Sequence, residues 1–125
     1  MQLTPGALAE KHGYDDAGES LLVADPTEAW IFHVLPDDTQ TSAIWVAQRV
    51  PDDHVGVVAN TWTVRGVNFD DPATFLASAN MRRIARAHGL WDGEGPLDFT
   101  RTFAGPELGH KYASGRRMWR AWQRL

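Results

Sequence analysis

Apolar residues in the first half of the chain come in short blocks at intervals of about ten residues, each closed by a turn cluster. "SLLVAD" runs into "DPTE", "AWIFHVL" into "PDDTQT", "AIWVAQRV" into "PDD", and "HVGVVAN" stops at Asn60. Rich in Val, Ile, Trp and Phe, these blocks predict four strands, and connections this short suit antiparallel neighbours rather than parallel crossovers. Alternation inside them is weak: Trp30, Phe32 and Val34 are apolar, and so are Ala29, Ile31 and Leu35. Strands apolar on both sides imply a sheet covered on both faces.

After Asp70 and Asp71 the period lengthens. Ala77, Met81, Ile84 and Trp91 share one helical face and Arg82, Arg83 and Arg86 the other, with Gly89 as the expected C-cap. "GEGPLD" reads as a loop and "FTRTFAG" as at most a short helical turn. "SGRRMWRAWQRL" reads as a second amphipathic helix, capped by Ser114, with Met118, Trp122 and Leu125 in one stripe. The expected fold class is α+β, an antiparallel β-meander packed with helices. Two such helices cover one sheet face, which leaves the other for a second copy or for further chain.

With 125 residues, 43% of them apolar, the chain suffices for one domain with its own core. A net charge of -4 with the signs interspersed offers no basic face to nucleic acid. No apolar run approaches the roughly 20 residues of a membrane span. "MQLTPGALAEKHGY" has neither the charged start nor the apolar stretch of a secretory signal, so a cytoplasmic location is expected. The absence of cysteine removes disulfides, thiolate metal sites and a cysteine nucleophile from these residues.

Four Asp-Asp pairs, at 15/16, 37/38, 52/53 and 70/71, lie between the periodic segments, where Asp forms turns and caps more readily than acid/base dyads. The five histidines have no metal-ligand spacing, so neither a metal nor a cofactor is expected. Asn60 is of more interest. An amide at the end of a buried strand could donate to an oxyanion developing at an acyl carbon, although Asn also starts turns there. Arg116 and Arg117, placed at the start of the last helix, oppose its dipole and suggest an anionic partner or simple solvation.

Taken in order, "GESLLVADPTEAWIFHVL", "AIWVAQRVPDDHVGVVANTWTVRGVNFDDP", "GLWDG" and "HKYASGRRMWRAW" resemble the cysteine-type N-terminal-nucleophile dipeptidases, the PepD-like family that includes the secernins. The resemblance runs from about Gly13 to Trp122. It implies a four-layer αββα sandwich and hydrolysis of dipeptides by an N-terminal cysteine exposed on removal of a leader. Residues 1–125 are then a single partial Ntn-hydrolase domain without its nucleophile segment, partnered by the rest of a longer chain or by another copy. Asn60 matches an oxyanion-binding Asn of the wider relatives. Arg117 matches an active-site Arg, with Arg116 as the alternative if the alignment shifts by one. The rival expectation is a non-catalytic, secernin-like or stand-alone interaction domain.

Overall fold

The computed structural model describes residues 4–104 and 108–125. Gly105, at the end of the expected "FTRTFAG" turn, lies outside the described residues, as do the side chains of 110–113 in the "HKYASGRRMWRAW" motif.

Three of the four expected strands form where the apolar blocks stand: β1 (Glu19–Ala24), β2 (Ala29–Pro36) and β3 (Ala43–Val50). They pair as an antiparallel meander, with Leu21 opposite Phe32 and Phe32 opposite Ala47. The β1–β2 turn is closed by Asp25, whose carboxylate accepts the backbone N–H groups of Thr27 and Glu28 at 2.8 and 2.9 Å. The β2–β3 turn repeats the device with Asp37, which accepts from Thr39 and Ser42. The turn role expected for Asp37 is the one observed.

The fourth expected strand does not form. Residues 54–60 join no ladder, and β3 pairs on its other side with β5 (Phe75–Ala77), giving the order β1-β2-β3-β5. The backbone of "HVGVVAN" instead lies against the sheet at Gly56, where an added Cβ would meet Val50 Cγ2 at 3.2 Å and Ile31 Cδ1 at 3.5 Å, while Val55 is 53% exposed. Burying a face and extending an edge both reward apolar residues, so composition alone does not separate them. A second ladder of two residues per strand joins β4 (Gly66–Val67) to β6 (Leu97–Asp98).

Both faces of the sheet are covered at β2 and β3, where an open face was expected, while Leu21 and Leu22 of β1 stay exposed. Trp30, Phe32, Val34, Ala43, Trp45 and Ala47 form one buried cluster. Helix α1 (Thr4–His12), which the hydrophobic pattern did not predict, packs there. Gly6 has no side chain to hold off the Trp45 indole, and Trp45 Nε1 donates to Glu10 Oε1 at 2.7 Å. On the opposite face Ile44 and Val46 pack with Val64, Val67, Met81, Ile84, Leu97 and Phe99.

The first expected helix is α2 (Met81–Ala87), shorter than its pattern suggested because Ala77 belongs to β5 and Trp91 lies past its end. Gly89, at φ +65°, ends it in a Schellman motif: its N–H donates to the Arg86 carbonyl and that of Leu90 to the Ala85 carbonyl. Only glycine adopts that φ without steric cost. Helix α3 (Phe99–Phe103) is the short turn expected, capped by Asp98, which accepts from the Arg101 N–H at 2.8 Å.

Helix α4 (Leu108–Trp122) starts earlier than the pattern indicated. Ser114 is therefore an interior residue and not an N-cap. Arg116 and Arg117 stand mid-helix, where the dipole argument has no force. The expected apolar stripe is largely open to solvent, with Trp122 50% and Leu125 71% exposed. No helix among the described residues is long and apolar enough to cross a membrane.

Candidate active site

Asn60 ends the segment that crosses the sheet and begins another extended stretch, 61–65, that has no strand partner of its own. Its backbone polar groups are satisfied one by one from other elements, as buried backbone requires. Ser114 Oγ of α4 donates to the Asn60 carbonyl at 3.2 Å, and Ser20 Oγ of β1 to that of Thr61 at 3.4 Å. The Thr63 N–H donates to His33 Nε2 of β2 at 3.0 Å. Thr100 of α3 closes the run, giving its N–H and hydroxyl to the Val64 carbonyl at 3.0 and 2.7 Å.

The two residues singled out from the sequence meet here. Arg117 donates from a guanidinium nitrogen to Asn60 Oδ1 at 2.6 Å, across 57 positions of chain. A guanidinium has only donors, so the amide oxygen must be the atom that faces it. Both Nδ2 hydrogens then point away, with no acceptor among the described residues. Both side chains are exposed, so the amide is open to an incoming acceptor. The same guanidinium nitrogen lies 3.5 Å from Ser114 Oγ, which links the two α4 residues to the segment. Arg116, the alternative, is exposed.

His33 went unnoticed as a site residue. It sits on the same face of β2 as Ile31 and Leu35, fully buried, and its ring stacks on Phe99 at 6.0 Å between centroids with the planes 19° apart. Its Nδ1 lies 3.0 Å from Ser20 Oγ, which superficially resembles a Ser-His nucleophile pair. The other nitrogen rules this out. Nε2 accepts the Thr63 N–H, so the ring proton must be on Nδ1, and the imidazole donates to Ser20 rather than drawing a proton from it. The one legible signal was a histidine within an otherwise apolar strand.

Burial pushes the His33 pKa down from 6.5 to about 4. Protonation would also set an Nε2 proton against the Thr63 N–H. Because the folded pKa is the lower one, the unfolded chain binds the extra proton first. Stability is complete above the unfolded value of 6.5 and drains as pH falls towards about 4. The loss across that window should reach about 3 kcal/mol. Thermal melts between pH 7 and 4 should show it, and the slope should flatten in His33→Gln. Asp37 contributes later: burial would raise its pKa, but the bonds from Thr39, Ser42 and Gln40 outweigh this and leave it lowered.

Peptidase family C69 matches residues 3–125, essentially the whole chain. The chain belongs to that family. Among curated relatives, a probable dipeptidase of Latilactobacillus sakei is 24% identical over 116 residues, covering 93% of this chain and 23% of the relative. A probable dipeptidase of Salmonella dublin is 31% identical over 102 residues, covering 79% of this chain and 22% of the relative. The C69 chain described here thus spans under a quarter of the length of these relatives. No solved structure matches it.

Proposed function

We propose that this C69 chain forms part of a cysteine-type N-terminal-nucleophile dipeptidase, and that Asn60 supplies an oxyanion contact for hydrolysis of a dipeptide bond. The supporting observation is the Arg117–Asn60 hydrogen bond, which orients the amide with its donors outward. The nucleophile belongs to residues outside these 125, which contain no cysteine. Within a four-layer sandwich, the sheet β1-β2-β3-β5 would be one of the two sheets. The edge of β1, where Leu21 and Leu22 are exposed, is a side on which further strands can add.

In this reading the cysteine thiolate attacks the dipeptide carbonyl carbon, with the cysteine's own α-amino group taking the thiol proton. The carbonyl oxygen gathers negative charge and accepts a hydrogen bond from Asn60 Nδ2–H. Arg117, holding Oδ1, polarises the amide so that its N–H groups donate more strongly. The tetrahedral intermediate collapses by expelling the C-terminal amino acid's amine, which takes up the proton. Water then hydrolyses the thioester and restores the thiol.

The test compares the isolated chain with a longer protein in which it follows a segment carrying the N-terminal cysteine. The isolated chain should hydrolyse no dipeptide above the buffer rate. The longer protein should hydrolyse dipeptides until its cysteine is alkylated. Activity in the isolated chain, or activity indifferent to alkylation, would place the nucleophile elsewhere and end this mechanism.

A further inference from the structure

Residues 61–65 hold Asn60 in place without the ladder that fixes an ordinary strand, so the precision of the amide depends on side chains reaching in from neighbouring elements. One imidazole does most of this. His33 Nε2 receives the Thr63 N–H at 3.0 Å, with the Val64 N–H at 3.4 Å and Thr63 Oγ1 at 3.3 Å converging on the same lone pair. Through Nδ1 it engages Ser20 Oγ at 3.0 Å, and that hydroxyl in turn reaches the Thr61 carbonyl. The ring thus ties the segment directly at residues 63 and 64 and, through Ser20, at residue 61 beside Asn60. It is itself fixed, buried against Phe99, which also meets Trp62 edge-on at 5.3 Å between centroids.

A purely structural role would be met by an apolar side chain of similar size, since this face of β2 is otherwise apolar. A buried imidazole with Nε2 engaged on this segment and Nδ1 on Ser20 of β1 is costly to desolvate and performs a directional task that Leu or Phe cannot. We propose that His33 is a positioning residue for Asn60: its neutral, Nδ1-protonated ring holds residues 61–64 so that the Asn60 amide stays in register with Arg117. This deepens the oxyanion reading of Asn60 and rests on it for its catalytic meaning, but the positional claim stands on the contacts alone.

The tautomer can be read on the wild-type chain without any variant. Long-range proton–nitrogen NMR should show His33 with a bare Nε2 and a protonated Nδ1, and the reverse assignment would overturn the proposal. The second measurement compares His33→Leu, which removes the acceptor, with His33→Gln, whose side-chain oxygen can replace Nε2. In His33→Leu, exchange of the Thr63 amide should accelerate roughly tenfold or more relative to the β2–β3 ladder amides, because a buried donor has lost its partner. The Asn60 side-chain amide and Arg117 guanidinium resonances should shift towards those of unbonded groups. His33→Gln should restore both signals. Asn60 and Arg117 resonances unchanged in a folded His33→Leu, with the ladder intact, would show that His33 only fills space. Dipeptide hydrolysis by the longer protein is the separate readout: its absence would remove the dipeptidase reading, while the resonances decide the positioning claim.

Discussion

Phe99→Ala should destabilise the chain by about 3 to 5 kcal/mol, the cost of truncating a fully buried Phe in a core that cannot collapse around the void. Phe99 is 0% exposed and sits at the junction of both halves of the site. Its ring stacks on His33, meets Trp62 at 5.3 Å and contacts Phe103 at 5.2 Å between centroids. Each aromatic contact adds roughly 0.5 to 1.5 kcal/mol beyond burial, so the loss should fall in the upper part of that range. A domain of this size commonly has a total stability of about 5 to 15 kcal/mol. The melting temperature should therefore fall by roughly 10 to 20 °C. Trp119→Ala is the matched control. Trp119 is as bulky but 62% exposed, and its loss should change stability by no more than about 0.5 kcal/mol. Equal shifts for the two variants would show that the core is not centred where the structure places it.

The strands β1, β2 and β3 were legible because each is a block of β-favouring residues bounded by Asp and Pro turns, and their register follows from short loops. The fold departs from the pattern where tertiary contacts decide. In "TPGALAEKH" Leu8 is the one large apolar residue, and Pro5 and Gly6 argue against helix, so α1 carries almost no periodic signal. Gly6 nevertheless lets α1 approach the Trp45 indole. β5 is three residues long, too short to announce itself, yet it occupies the sheet edge that "HVGVVAN" was expected to fill. Local pattern says that a segment will be buried. It does not say whether an edge or a face will take it.

The site divides in the same way. Asn60 was legible as a polar residue closing an apolar run, and Arg117 through its place in a family motif. Their hydrogen bond was not, because it depends on where α4 lands relative to a segment far earlier in the chain. His33 was visible as a polar residue inside "AWIFHVL". Its partners Ser20, Thr61 and Thr63 come from β1 and from an irregular stretch, and no spacing rule links them to it. The side chains that hold irregular backbone are set by the finished fold, so they are the last thing a sequence discloses.

The claim that Asn60 donates to an oxyanion makes the largest kinetic prediction. Asn60→Asp keeps the size and shape of the side chain and retains an oxygen for Arg117, but it has no N–H to donate. Because the Arg117 contact is exposed, exchanging an amide for a carboxylate there should alter stability by less than about 1 kcal/mol. A hydrogen bond that forms mainly in the transition state appears in kcat and not in KM, and losing one oxyanion donor costs about 3 kcal/mol, a hundredfold or more. Asn60→Ala should lose the same rate. The deciding measurement is kcat for dipeptide hydrolysis by Asn60→Asp in the longer, cysteine-bearing protein, with the melting temperature taken on the same preparation. The predicted result is kcat lowered at least about a hundredfold, with KM and melting temperature close to wild type. A kcat within a few fold of wild type in the folded Asn60→Asp protein would contradict it and return Asn60 to the role of a turn residue.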